Sequence, residues 1–182
     1  MLASLTLVLA AVGATALHQP AANSDVSLIT CTAMALHGDF SPGIDDEVRD
    51  INANGNGTAT GCLSPTQPTI TRASGTVNSA DGSASCAPNG GSGSWSDDVS
   101  VTWKNTAGGT VGTSVISGTF SYTVDLTGGI TGSASGSVSS GLFSNGTVVP
   151  LITGVAADLS DCLSGGVTEG TATGSFAIVS AP

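Results

Sequence analysis

The chain has 182 residues, a length that suits one domain with or without a leader. Three Lys and Arg against 13 Asp and Glu give a formal net charge of −10, which excludes the cationic footprint that binds nucleic-acid phosphates or anionic lipid. Charged residues are only 9% and hydrophobic residues 40%, the reverse of a disordered chain, and with 26 glycines this points to strands, tight turns and a core of small side chains.

Residues 2–17, LASLTLVLAAVGATAL, form an uncharged apolar run, shorter than the roughly 20 residues a membrane-spanning helix needs. Ala14-Thr15-Ala16 is a small-x-small cleavage site. A signal peptide is therefore expected over 1–16, followed by a short mature tail over 17–24 and a single β domain over 25–182, secreted to the extracellular space. No Lys or Arg precedes the apolar run, so the basic start of such a leader is missing and the true start is expected upstream of Met1.

The run 26–36, VSLITCTAMAL, is apolar on both parities and reads as a central strand covered on both faces. Next comes DINANGNGT, residues 50–58, which opens like a calcium loop. Asp50, Asn52, Asn54, the Asn56 carbonyl and Thr58 would supply oxygens at positions 1, 3, 5, 7 and 9. The twelfth position, which should close the shell with a bidentate acid, is Gly61, so Asp45, Asp46 or Glu47 would have to complete it. The competing and favoured reading is a polar hairpin connection in which the Asn-Gly pairs provide positive φ. Calcium is thus the one cofactor with any support, and weak support.

Further strands are expected around 55–62, 69–77, 129–139 and 145–153. Two segments alternate cleanly: Trp95, Val99, Val101 and Trp103 share one parity, as do Ile116, Phe120, Tyr122, Val124 and Leu126. Ala172, Gly174, Phe176 and Ile178 do the same near the end. Asn54-Gly55, Asn56-Gly57, Asp81-Gly82, Asn89-Gly90 and Asn145-Gly146 read as hairpin turns. The fold class that follows is all-β: an antiparallel β-barrel or β-sandwich of about eight or more short strands.

Cys31, Cys62, Cys86 and Cys162 make an even count in a chain read as exported, hence two disulfides. Three connectivities are open, and the sequence closeness of the first two favours Cys31–Cys62 with Cys86–Cys162. No pair has zinc-site or redox spacing. The order of Cys31, Phe40-Ser41-Pro42-Gly43, Cys62, Cys86, Val101-Thr102-Trp103, the GSVSSGLF stretch at 136–143, and Cys162 before a Gly-rich final strand resembles a family of uncharacterised secreted actinobacterial proteins with four cysteines. That resemblance implies an antiparallel β fold and export. It carries over no functional residues.

His37, which follows an apolar run, reads as a surface histidine at a strand end, and His18 sits beside the cleavage site. With no G-x-S-x-G elbow, a histidine-based hydrolase has no frame. Asp45-Asp46-Glu47 and Asp97-Asp98 read as solvated acids, which leaves a carboxylate hydrolase as the weakest alternative. Trp95, Trp103 and Tyr122 fall on inward parities and read as core. The main expectation is a non-enzymatic secreted monomer with a structural or interaction-mediating role, free of nucleic acid and, once the leader is cleaved, of membrane. A small-ligand binder is the alternative. The acidic, Gly/Ala/Ser/Thr-rich, two-disulfide composition is similar to that of enediyne antibiotic-binding apoproteins, small β-sandwiches with tighter cysteine spacings. An apolar cleft lined by Phe120, Tyr122 or Phe143 would favour that alternative, and a filled core would exclude it.

Overall fold

A computed structural model describes residues 26–87, 91–125 and 130–180. The leader over 1–16, the tail over 17–24, the Asn89-Gly90 turn and Leu126 lie outside the described residues. Eight antiparallel strands follow one another around a closed barrel: β1 (Ser27–Ile44), β2 (Arg49–Leu63), β3 (Arg72–Ala84), β4 (Ser92–Lys104), β5 (Thr110–Val124), β6 (Ile130–Gly141), β7 (Gly146–Ala156) and β8 (Val167–Ser180). A short 3-10 helix, η1 (Leu159–Leu163), links the last two. Because β1 pairs with both β2 and β8, the sheet has no free edge. This settles barrel over sandwich. The strands run from 11 to 18 residues, longer than the short strands expected.

In a closed barrel one parity faces inward and the other faces out. The outer face is dominated by Ser, Thr and Asn, as in Asn52, Asn54, Asn56 and Thr58 on β2 or Ser92, Ser94 and Ser96 on β4. An outer-membrane barrel has the opposite arrangement, with an apolar band outside. Among the described residues no helix is long and apolar enough to cross a membrane.

Two expectations are corrected. The run 26–36 is not covered on both faces, since Ala33 and Ala35 are exposed on the outside. A register shift against β8 between Cys31 and Met34 changes the inward parity from Ile29 and Cys31 to Met34 and Leu36. A β-bulge of this kind makes apolar residues appear on both parities of one strand. Nor do Asn54-Gly55, Asn56-Gly57 and Asp81-Gly82 turn the chain: they lie within β2 and β3. Asn145-Gly146 does mark a turn, with Asn145 at φ 64°.

Both barrel ends are packed. At one end Trp103 is fully buried with Ile29, Ile70, Val138 and Ile178. Its indole N–H donates to Ser114 Oγ at 2.8 Å, and that hydroxyl donates to the Leu142 carbonyl at 2.5 Å. At the other end Ile44, Ile51, Tyr122, Val124 and Val167 surround the Cys86–Cys162 bridge. That bridge fastens η1 over the barrel end, while Cys31–Cys62 joins neighbouring β1 and β2 beside the Trp103 cluster. The favoured connectivity is the one found, and it fits an oxidising, extracellular-type environment.

A core of small side chains buries little apolar area per residue, so the bridges should carry a large share of stability. Replacing Cys86 and Cys162 with Ala should lower the unfolding free energy by roughly 4 kcal/mol, since the closed loop is long. Urea titration of the double variant and the parent measures this, and coincident midpoints would contradict it.

Candidate functional site

Between the two packed ends lies a cavity of about 320 Å³, within the size range of small-ligand sites. Its width comes from glycines that meet across the ladders: Gly38 opposite both Gly55 and Gly170, Gly57 opposite Gly75, and Gly118 opposite Gly136. A Cβ on Gly118 would lie 2.6 Å from the Ser135 carbonyl oxygen, and one on Gly136 2.9 Å from that of Ser117. These strands approach as closely as they do because no side chain intervenes. An eight-stranded barrel is wide enough either to be filled by side chains or to hold one small ligand. Here the middle is left wide.

One wall of the cavity is aromatic. Trp95 on β4 stacks on Phe120 of β5 at 5.1 Å, with Phe40 of β1 at 5.4 Å and Tyr122 of β5 at 5.8 Å. Trp95 stands opposite Gly82 and Tyr122 opposite Gly93 on the neighbouring strands; a Cβ on Gly93 would strike the Tyr122 ring, and one on Gly82 the Ser94 carbonyl and the Trp95 Cβ. The Tyr122 hydroxyl donates to the Ser85 carbonyl at 2.8 Å, and burial pushes its pKa up to about 12. Trp95 and Tyr122, read as core, do face inward, but they also line the cavity. Phe143 does not: it packs edge-on against Trp103 at 5.3 Å in the closed end.

Asp97 departs from its reading as a solvated acid. It lies inward on β4 between Trp95 and Val99, lines the cavity, and has its Oδ2 buried without a hydrogen-bond partner among the described residues. Its neighbour Asp98 points outward and accepts from Ser117 Oγ at 2.5 Å. Strand parity separates two acids that look equivalent in the sequence. The signal was present, since Asp97 shares the parity of Trp95, Val99 and Val101. Asp97 is the one acidic residue among those lining the cavity, so the paired carboxylates of sugar hydrolysis are not assembled there.

The ladders break between Thr76 and Asp81 of β3 against β4 and between Asp39 and Ile44 of β1 against β8, and β6 and β7 pair only at Gly136–Val148 and Ser137–Thr147. Beyond that point Ile130, Ala134, Pro150, Ile152 and Val155, all cavity-lining, face one another without a backbone ladder. At this seam the cavity wall is made by side chains rather than by backbone pairing. Asp158 fixes η1 beside it by accepting from the Ser160 amide at 3.0 Å and hydroxyl at 2.6 Å, bonds that hold its carboxyl below the usual range.

The stretch DINANGNGT is neither calcium loop nor turn. Asp50, Asn52, Asn54, Asn56 and Thr58 stand along the outer side of β2. At about 3.3 Å per residue the first and last are some 26 Å apart, so they cannot converge on one ion. Asn54 Nδ2 donates to Asn52 Oδ1 at 3.3 Å, and Asn52 Nδ2 to Asp81 Oδ1 at 3.0 Å, while the Asp45 carboxylate is paired with Arg49. His37, read as a strand-end histidine, sits within β1. Its Nε2 lies 3.4 Å from Asp39 Oδ1, and Glu169 stands opposite Asp39 on β8. Ligand atoms of these three residues fall within 4.8 Å of one another on the outer surface. That is the one group among the described residues with metal-ligand chemistry and spacing.

Compared with protein-family models, with curated proteins and with solved structures, the chain matches none.

Two outcomes follow from this geometry. Tyr122 is the chain's one tyrosine, so phenolate absorbance should titrate with a midpoint near pH 12 rather than the ordinary value near 10. A folded pKa above the unfolded one means that Tyr122's contribution to stability is complete below about pH 10 and is lost as pH rises towards 12. Tyr122→Phe should remove that part of the alkaline decline, and a midpoint near 10 would contradict the buried phenol. Secondly, the parent and Asp50→Ala should respond identically to calcium and to chelator in thermal unfolding. A calcium-dependent rise confined to the parent would restore the loop reading.

Proposed function

We propose that the protein is an exported, non-enzymatic barrel that binds one small apolar molecule in its interior. The observation that carries this is the cavity between two well-packed ends, walled by Phe40, Trp95, Phe120 and Tyr122. A barrel whose role were purely structural would gain stability by filling that space, because interiors are normally close-packed. Glycines placed opposite one another across four ladders do the reverse. The two disulfides and the apolar leader support export, and the polar outer face supports a barrel that works in water.

Gly38 allows the cavity to be filled without moving the backbone, since a Cβ there meets nothing nearer than 3.7 Å. The neutral dye N-phenyl-1-naphthylamine, bright in apolar surroundings, should bind the parent saturably at one site. Gly38→Leu should weaken that binding by at least about tenfold while leaving the circular dichroism spectrum unchanged. Absence of saturable binding, or equal binding by a folded Gly38→Leu protein, would sink the reading.

A further inference from the structure

We infer that the ligand of this cavity carries a cationic amine, anchored by the Asp97 carboxylate and bordered by the face of Trp95. This rests on the reading that the cavity binds a small apolar molecule, and it assigns that molecule its polar group. Buried polar atoms are almost always hydrogen-bonded, and an exception calls for an explanation. An ionised carboxylate taken out of water is costly unless paired. Asp97 Oδ2 is such an exception.

Among the described residues no side chain or backbone group hydrogen-bonds this oxygen. Along β4 its inward neighbours are Trp95 and Val99, and across β5 stands Gly118, itself opposite Gly136. The chain has three Lys and Arg: Arg49 is paired with Asp45, and Arg72 and Lys104 face each other at the far end of the β3–β4 ladder. Lys104 is some 23 Å along the strand from Asp97 at about 3.3 Å per residue. The glycine pair puts no side chain beside the carboxylate on β5 and β6. The stacked rings of Trp95 and Phe120, two residues further along their strands, offer π faces that attract a cation. A carboxylate next to aromatic faces in a mainly apolar cavity fits an alkyl- or arylalkylammonium. An anionic ligand would be repelled, and a neutral donor could hydrogen-bond Oδ2 but would not match its charge. The net charge of −10 favours approach of a cation.

Calorimetric titration of the full protein with 2-phenylethylamine, 2-phenylethanol and 3-phenylpropanoate tests this, alongside the neutral dye. The parent should bind the amine at least about tenfold more tightly than the alcohol and bind the carboxylate more weakly than either. Asp97→Asn should bring amine and alcohol to comparable affinity, keep dye binding, and melt no lower than the parent without ligand, because among the described residues no hydrogen bond to Oδ2 is lost. Dye binding with no preference for amine over alcohol would overturn the role of Asp97 and leave the apolar cavity standing. Failure of the dye and of all three compounds would overturn both. Should Asp97→Asn not fold, the parent's ranking of the three compounds decides alone.

Discussion

Closure of the sheet is the constraint on which the rest of this structure depends. Once β1 is laddered to β2 on one side and to β8 on the other, every strand has one side committed to a shared interior. Residues at alternate positions then cease to be independent, because a group placed inward meets groups from several other strands. Closure also removes the free edges that would otherwise invite pairing with another chain.

The interior so created is divided along its length. At each end large side chains fill the space, with Trp103 hydrogen-bonded into one cluster and the Cys86–Cys162 bridge anchoring the other. Between them many inward positions are taken by Gly and Ala, which gives up apolar burial in the place where a stable barrel would otherwise gain most. The bridges at the two ends offset part of that loss by restricting the unfolded chain. The incomplete β6–β7 ladder lies alongside the same middle region. Width, weak lateral closure and low packing therefore coincide in one place.

That coincidence gives Asp97 its meaning. Elsewhere on β4 the alternation is regular, with Gly and apolar residues inward and polar or charged residues outward. A single acid on the inward side breaks the pattern where the aromatic wall meets the glycine gap. Natural sequences tend to break local rules at functional positions and to compensate elsewhere.

Much of the fold was legible from residue order. Period two in 95–104, 115–126 and 172–178 located β4, β5 and β8 and their inward sides, and cysteine spacing favoured the bridges that form. Asn-Gly pairs in DINANGNGT misled because the same dipeptide that suits a turn also suits a barrel strand with Gly inside and Asn outside. Only long-range pairing distinguishes the two. The apolar run at 26–36 misled because a bulge against β8 is a property of two strands, not of one. Asp97 illustrates the same limit. Its parity could be read from the chain, but a carboxylate on an inward parity is ordinary if water reaches it, and burial depends on which rings and glycines other strands bring alongside. The sequence by itself determined local periodicity, the polar exterior and the small-residue interior, since these are set by neighbours along the chain. Closure, the cavity and the isolation of one acid within it were decided by tertiary structure, because each arises from contacts between strands far apart in the chain.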